Sequence, residues 1–212
     1  MYVPEHFSEK NINEIKKLID NYPLATLFTS GINGFSANHL PFLIDFNANG
    51  TQTILGHIAR NNQLFKENKN GDEVLVVYKG EDAYISPNWY PTKQTTHEVV
   101  PTWNYQAVHF YGKLELIEDP KFLLGIVGRL TKKHEKKIGE KIPWKINDAP
   151  RDFLEKKLSE IIGIKIEVLR FDAKSKVSQN KEKIDFDAVQ KKMFERNKNS
   201  ISSVMKKIKQ IN

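Results

Sequence analysis

Hydrophobic positions along the chain switch between a period near 3.6 and a period of 2, and the switches mark its elements. Between Asn11 and Tyr22, the residues Ile12, Ile15, Leu18, Ile19 and Tyr22 share one helical face. Asn11 and Glu14 have capping-box spacing, and Pro23 stops the helix. Strand-like runs follow at 24–29, 35–45 and 51–59, separated by the turn pairs Asn33-Gly34 and Asn49-Gly50. A brief helix is expected over 62–68, closed by Gly71. Further strands are expected at 73–79, at 83–86 and, after a proline-rich loop, over 99–117.

The pattern then turns helical. Asp119-Pro120 supplies a cap and a first-turn proline to a helix striped by Phe122, Leu123, Ile126, Val127 and Leu130. Asp148-Ala149-Pro150 offers a second capped start, for a helix expected to bury Phe153, Leu154, Leu158 and Ile161 and to end at Gly163. Ile164, Ile166 and Val168 alternate with Lys165 and Glu167 in a closing strand. Beyond Lys174 only two weakly amphipathic segments are visible, one around Phe186, Val189 and Met193, the other around Val204, Met205, Ile208 and Ile211. About six or seven strands in hairpins with a few helices predict a mainly β chain with α additions. The expected organisation is a small antiparallel barrel over 1–173 and a basic, weakly helical tail over 174–212.

Composition narrows the chemistry. With no cysteine among 212 residues, disulfides, thiol catalysis and cysteine-based zinc sites are excluded. No run approaches a membrane span, and MYVPEHFSEK lacks the apolar core of a signal peptide, so a cytoplasmic protein is expected. The net charge of +7 is unevenly placed. Residues 1–173 hold 22 basic and 22 acidic residues, whereas 174–212 hold 11 basic against 4 acidic. A neutral body with a basic tail is the pattern of a DNA contact through the tail, and also of a solvated lysine-rich end.

Three stretches look least like generic packing. Residues 84–111 gather Tyr84, Trp89, Tyr90, Trp103, Tyr105, Phe110 and Tyr111, with Asn104, Gln106, His97 and His109 as polar edges. Such walls suit a flat heteroaromatic ligand, and they also suit a plain aromatic hairpin core. ILGHIARNNQLF runs from strand through turn to helix, placing His57, Arg60, Asn61 and Asn62 where helix amides and a guanidinium can meet a phosphate. SANHLPFLID sets Asn38 and His39 in a strand interrupted by Pro41, a mark of an edge or bulge. The six histidines show no metal-ligand spacing, no nucleophile elbow is present, and no catalytic residue is assigned.

The segments MYVPEHF, ANHLPF, GHIARNN, EVLVVYKG, AYISPNWYPTK, VVPTWNYQAVH, LTKKHE, DAP and KVSQN occur in that order over nearly all of residues 1–180. Together they resemble the PaiB-type transcriptional regulators, a branch of the FMN-binding split-barrel superfamily. The resemblance implies a homodimeric, antiparallel split β-barrel of Greek-key type with peripheral helices, holding FMN in a groove shared by two subunits. It implies that Asn38, His39 and Leu40 run along the isoalloxazine. It implies that the turn of His57, Ile58, Ala59, Arg60, Asn61 and Asn62 holds the phosphate. Trp103, Asn104, Tyr105 and Gln106, in the pattern Gln106-Ala107-Val108 followed by Gly112, are similar to a strand that reaches the flavin from the partner. Lys176 and Gln179 occupy the position of a C-terminal ligand-contact segment. The turn departs from the oxidase relatives in offering a single cation, Arg60.

Two functions compete on this reading, beside a third, a non-catalytic ligand-binding or interaction module. One is a cytoplasmic negative regulator of transcription that senses a flavin-like small molecule and contacts DNA through its basic tail. The other is an FMN-dependent oxidoreductase related to pyridoxamine-phosphate oxidases and flavin reductases. No helix-turn-helix pair supports the first, and no acid–base pair identifies a substrate for the second.

Overall fold

The computed structural model describes residues 1–46 and 52–211, with side chains to 208, so the expected Asn49-Gly50 turn lies outside the described residues. The elements are α1 (Ile12–Asn21), β1 (Leu24–Gly31), β2 (Gly34–Pro41), β3 (Leu43–Phe46), β4 (Gln52–Ala59), α2 (Gln63–Glu67), β5 (Glu73–Ile85), α3 (Lys93–Thr96), β6 (Thr102–Ile117), α4 (Pro120–Ile138), α5 (Arg151–Ser159), β7 (Ile161–Lys176), α6 (Lys183–Glu195) and α7 (Asn199–Ile211). The strands form one sheet in the order β2-β1-β5-β6-β7-β4-β3, which leaves β2 and β3 at its ends. Hairpin pairing sets Leu27 of β1 opposite Asn38 of β2, and Leu43 of β3 opposite Leu55 of β4. Long-range pairing sets Leu27 against Val76 of β5, and His57 of β4 against Gly163 of β7.

Two compact units divide the chain. The first comprises Met1–Tyr22, Tyr78–His109 and Asp172–Asn212. Here α1 starts as expected, with the Asn11 side chain accepting the Asn13 amide. The expected capping box is replaced: Glu9 accepts the Asn11 amide at 2.8 Å, and Glu14 pairs with Lys17 and Lys207 instead. The two strands expected at 73–79 and 83–86 are one, β5. Gly80 lies within it, close to α1, and a Cβ there would come 3.3 Å from Leu18 Cδ1 and 3.5 Å from Gln106 Cβ.

The stretch read as weakly amphipathic forms two 13-residue helices, α6 and α7. Phe186, Val189, Met193, Ile201 and Met205 close a core with Ala83, Ile85, Tyr90 and Val177. Asp185 is buried with them and accepts the Thr92 amide at 3.1 Å and its hydroxyl at 2.7 Å, which satisfies the charge and blurs the hydrophobic stripe. Glu81 accepts the Ser200 and Ile201 amides at 3.0 and 3.1 Å, placing a carboxylate on the positive end of α7.

The second unit comprises Pro23–Val77 and Phe110–Phe171. The run expected at 35–45 is broken into β2 and β3, because Pro41 cannot donate to a ladder and the next residue, Phe42, turns inward. Phe42 fills the space above Gly56, where a Cβ would meet its Cδ1 at 2.5 Å. Helix α4 is capped by Asp119, and its Leu123 joins Ile126 and Leu130 on the buried face, the last two packing on Leu43 and Leu55. Helix α5 differs from expectation. Asp148 accepts the Lys145 amide in a preceding turn rather than capping it, Phe153 is exposed, and Leu158 is the buried anchor. Gly163 lies inside β7, where a Cβ would come 2.8 Å from Phe122 Cε1.

Candidate functional site

In the second unit, the edge strand and the strand-to-helix turn meet. Alternation along β2 leaves Asn38 and Leu40 half-buried and His39 exposed. His39 Nδ1 lies 3.0 Å from Thr26 Oγ1 across the hairpin. Asn38 Oδ1 accepts from the Asn62 side-chain Nδ2 at 2.7 Å, so these two expected ligand residues touch each other. Asn62 Oδ1 also accepts the Leu64 amide at 2.9 Å, which satisfies one of the helix-start donors expected to face a phosphate. Ile58 is buried in the core, whereas Ala59 and Asn61 are exposed. His57 is half-buried, its Nδ1 has no partner, and burial holds its pKa below the ordinary histidine value.

Arg60 is not an unengaged cation. Its Nε donates to the Ser159 carbonyl at 2.8 Å and its Nη1 to Glu118 Oε2 at 2.5 Å. Both groups of this exposed pair remain in contact with solvent, so the guanidinium is oriented rather than locked. Glu118 escaped the sequence reading because it sits beside the Asp119 cap, 58 positions away, and only the fold brings it to Arg60.

In the first unit, alternation along β6 divides the four expected residues into two faces. Asn104 is 0% and Gln106 6% exposed, whereas Trp103 is 53% exposed and Tyr105 half-buried. Asn104 Nδ2 donates to Ser178 Oγ at 2.9 Å, the same hydroxyl lies 3.1 Å from Asn104 Oδ1, and Gln106 Nε2 donates to Ser175 Oγ at 3.2 Å. The two amides therefore face the interior of the unit, and the rings of Trp103 and Tyr105 are what β6 presents outward. Trp103 stands edge-to-face with Tyr84 at 5.8 Å between centroids, an aromatic surface open to a flat ligand.

The end of β7 runs into a tight turn. Gln179 Oε1 accepts the Val177 amide at 2.8 Å and its Nε2 donates to the Ser175 carbonyl, with Ser178 at φ +65° between them. Lys176 donates to Thr102 Oγ1. Burial lowers the Lys176 pKa, Tyr105 opposes that shift, and the like charges of Lys174 and Lys181 add to it. Thr102, Lys174, Ser175 and Ser178 carry no periodic signal. The KVSQN segment holds Ser178, and that was the available clue. Within the first unit the exposed Trp103 and Tyr84 rings can meet a flat heteroaromatic ring, and within the second the unpartnered His57 nitrogen and the oriented Arg60 guanidinium can meet a polar or anionic group.

Residues 1–170 match the family described as "Putative FMN-binding domain". The protease synthase and sporulation protein PAI 2 of Bacillus subtilis is 34% identical over 187 residues, covering 88% of this chain and 86% of that protein. An uncharacterized protein of Saccharomyces cerevisiae is 35% identical over 159 residues, covering 66% of this chain and 94% of its own. Among solved structures, the flavocytochrome Anf3 of Azotobacter vinelandii superposes with a TM-score of 0.58 at 14% identity, covering 88% of this chain and 78% of that one. The FAD and heme binding protein of Mycobacterium smegmatis gives 0.57 at 14% identity, covering 80% and 73%. These structural likenesses establish the fold, a mainly β split barrel built on an antiparallel sheet. The chain belongs to this FMN-binding family, in its PaiB-type branch, and a flavin is the cofactor that the family takes.

Proposed function

We propose that the protein is a cytoplasmic, homodimeric regulator of PaiB type that represses transcription and senses FMN or a flavin-like ligand. One observation carries this reading. The segment Lys176–Gln179, where ligand contact is expected, is joined to α6 by a three-residue connection, and Val177 within it is 0% exposed in the same core as Phe186, Met193 and Met205. A ligand held at the end of β7 thus acts directly on the packing of α6 and α7, which with their connection hold eight basic residues against three acidic. In this reading Arg60, Asn61 and Asn62 take the phosphate, Asn38 to Leu40 line the ring, and Trp103 or Tyr105 forms a wall. Bound flavin supplies a ring whose charge changes with its redox state.

Dimerisation is supported by an apolar groove on the second unit, lined in part by Phe28, Leu75, Tyr111 and Leu169, with Phe35 91% exposed at its rim. DNA contact is supported by the exposed cations Lys183, Lys191, Arg196 and Lys206 on α6, α7 and their connection. If these four neutralise phosphates, log K falls against log salt with a slope of about −4 per subunit.

The test is paired. Visible absorbance of the purified protein before and after adding FMN reports the ligand, and DNA titration across salt, with and without FMN, reports the coupling. Salt-sensitive DNA binding that shifts with FMN supports the regulator. Flavin binding with no DNA affinity at low ionic strength ends direct repression and leaves the oxidoreductase.

A further inference from the structure

Three lysines of the first unit carry more positive charge than their surroundings answer. Lys174 is only 8% exposed, yet its ammonium donates to a neutral group, the Tyr2 carbonyl at 3.2 Å. Aromatic faces surround it, with the Tyr105 centroid at 5.3 Å, Tyr2 at 5.7 Å and Phe7 at 5.9 Å. Lys176, two residues on along the same strand, shares the Phe7 ring at 5.9 Å and bonds the Thr102 hydroxyl. Lys181 lies over the Tyr90 ring at 4.9 Å. Among the described residues, none of these three ammonium groups is ion-paired with a carboxylate, and Asp172 on the same strand is joined to the Met1 amino group at 2.7 Å.

Ring quadrupoles help to hold a cation, but they bring no countercharge. Burying a charge without an opposite partner is costly, and like charges on neighbouring side chains add to the cost. The depressed titration of Lys176 reflects both effects, burial first and its lysine neighbours after. An anion resting between the two ammonium groups relieves burial and repulsion together. Two ammonium groups and one hydroxyl match the charge and the acceptor oxygens of a phosphate dianion.

We propose that the first unit carries an oxyanion site, formed by the ammonium groups of Lys174 and Lys176 with the hydroxyl of Thr102, that takes a phosphate monoester. The Lys181 ammonium attracts the anion from beside the site, and the Tyr105 ring forms its apolar wall. The site uses none of the residues of the Arg60 turn, whose cation already has Glu118, and it stands without the flavin reading. The phosphate comes either from the flavin itself or from a second phosphorylated small molecule.

Titration of the full-length protein with inorganic phosphate at constant ionic strength, read by calorimetry, tests the proposal. Saturable binding is expected, weakened at least tenfold in Lys176→Met and in Thr102→Val and unchanged in Lys121→Met, an exposed lysine of α4. Circular dichroism and the thermal midpoint establish that each variant is folded, and Thr102→Val preserves the test if removal of a lysine charge disturbs the unit. No saturable binding, equal affinity in Lys176→Met and Thr102→Val, or a loss shared by Lys121→Met overturns it. A second arm compares FMN with riboflavin in Lys176→Met. If that variant no longer favours FMN, the phosphate is the flavin's own; a retained preference beside lost phosphate binding assigns the site to another phosphorylated ligand. Absence of flavin binding alone refutes the flavin reading while leaving the phosphate titration to stand or fall by itself.

Discussion

Substituting Met193 by alanine asks whether the basic C-terminal helices are part of the folded unit or an appendage to it. Met193 is 0% exposed and packs in one core with Ile85, Tyr90, Val177 and Met205. Met193→Ala removes three side-chain heavy atoms from a fully buried site. The lost transfer energy and the residual cavity together cost about 2–5 kcal/mol. For a chain of this length each kcal/mol moves the thermal midpoint about 2–4 °C, so a drop of about 4–20 °C is expected. Trp89 packs against this core and makes tryptophan fluorescence a local reporter beside circular dichroism. Lys206→Gln, on an exposed position of α7, is the control and should shift stability by less than about 0.5 kcal/mol. A Met193→Ala midpoint within 1–2 °C (about 0.5 kcal/mol) of the parent would refute the docking of α6, and with it the proposed path from Lys176 to the helices. The same packing means that truncation after Asn180 exposes Ile85, Tyr90 and Val177, so DNA binding is better tested by charge substitutions than by deletion.

Three further outcomes are expected. His57, His109 and His134 are each held below the ordinary histidine pKa, burial being the first cause in all three. The unfolded chain therefore takes up protons first as pH falls, and stability declines from about pH 6.5 downward through the folded pKa values; midpoints measured from pH 8 to 5 check this, and a flat profile refutes it. Gly112→Ala places a Cβ 2.3 Å from the Glu167 carbonyl, a backbone atom that cannot swing away, and should destabilise by about 1–3 kcal/mol in urea unfolding; an unchanged urea midpoint would show that the strands can part there freely. Arg60→Ala should weaken FMN relative to riboflavin by about 1.5–3 kcal/mol if the guanidinium meets the phosphate, whereas equal loss for both ligands assigns Arg60 to its bonds with Glu118 and Ser159.

Local chemistry made much of the fold legible in the sequence. Asn11, Asn62 and Asp119 cap the helices that their side chains announce, and Pro41 divides two strands where its missing donor requires it. Gly163 misled the reading as a helix terminator because its use is tertiary: Phe122 occupies the space that a side chain would need. The helices α6 and α7 looked weak for a related reason. Asp185 and Ser202 lie on their buried faces, satisfied by Thr92 and Gln190, and a polar residue inside the stripe lowers any amphipathic signal.

The candidate site divides along the same line between local and tertiary information. Residue types and order pointed to the stretches 38–40, 57–62, 103–106 and 176–179, but a strand presents alternate residues to opposite faces. That period separates Trp103 and Tyr105 from Asn104 and Gln106, whose amides are paired with Ser178 and Ser175. Countercharge is likewise invisible until distant strands meet, as for Glu118 at Arg60. The contrast between the two cationic groups follows from it. Arg60 has a carboxylate at 2.5 Å, while Lys174 and Lys176 have a carbonyl, a hydroxyl and aromatic faces. Affinity for a free anion should therefore be greatest where positive charge has no carboxylate answer, so Lys176, rather than Arg60, is the side chain whose neutralisation should most reduce binding of inorganic phosphate.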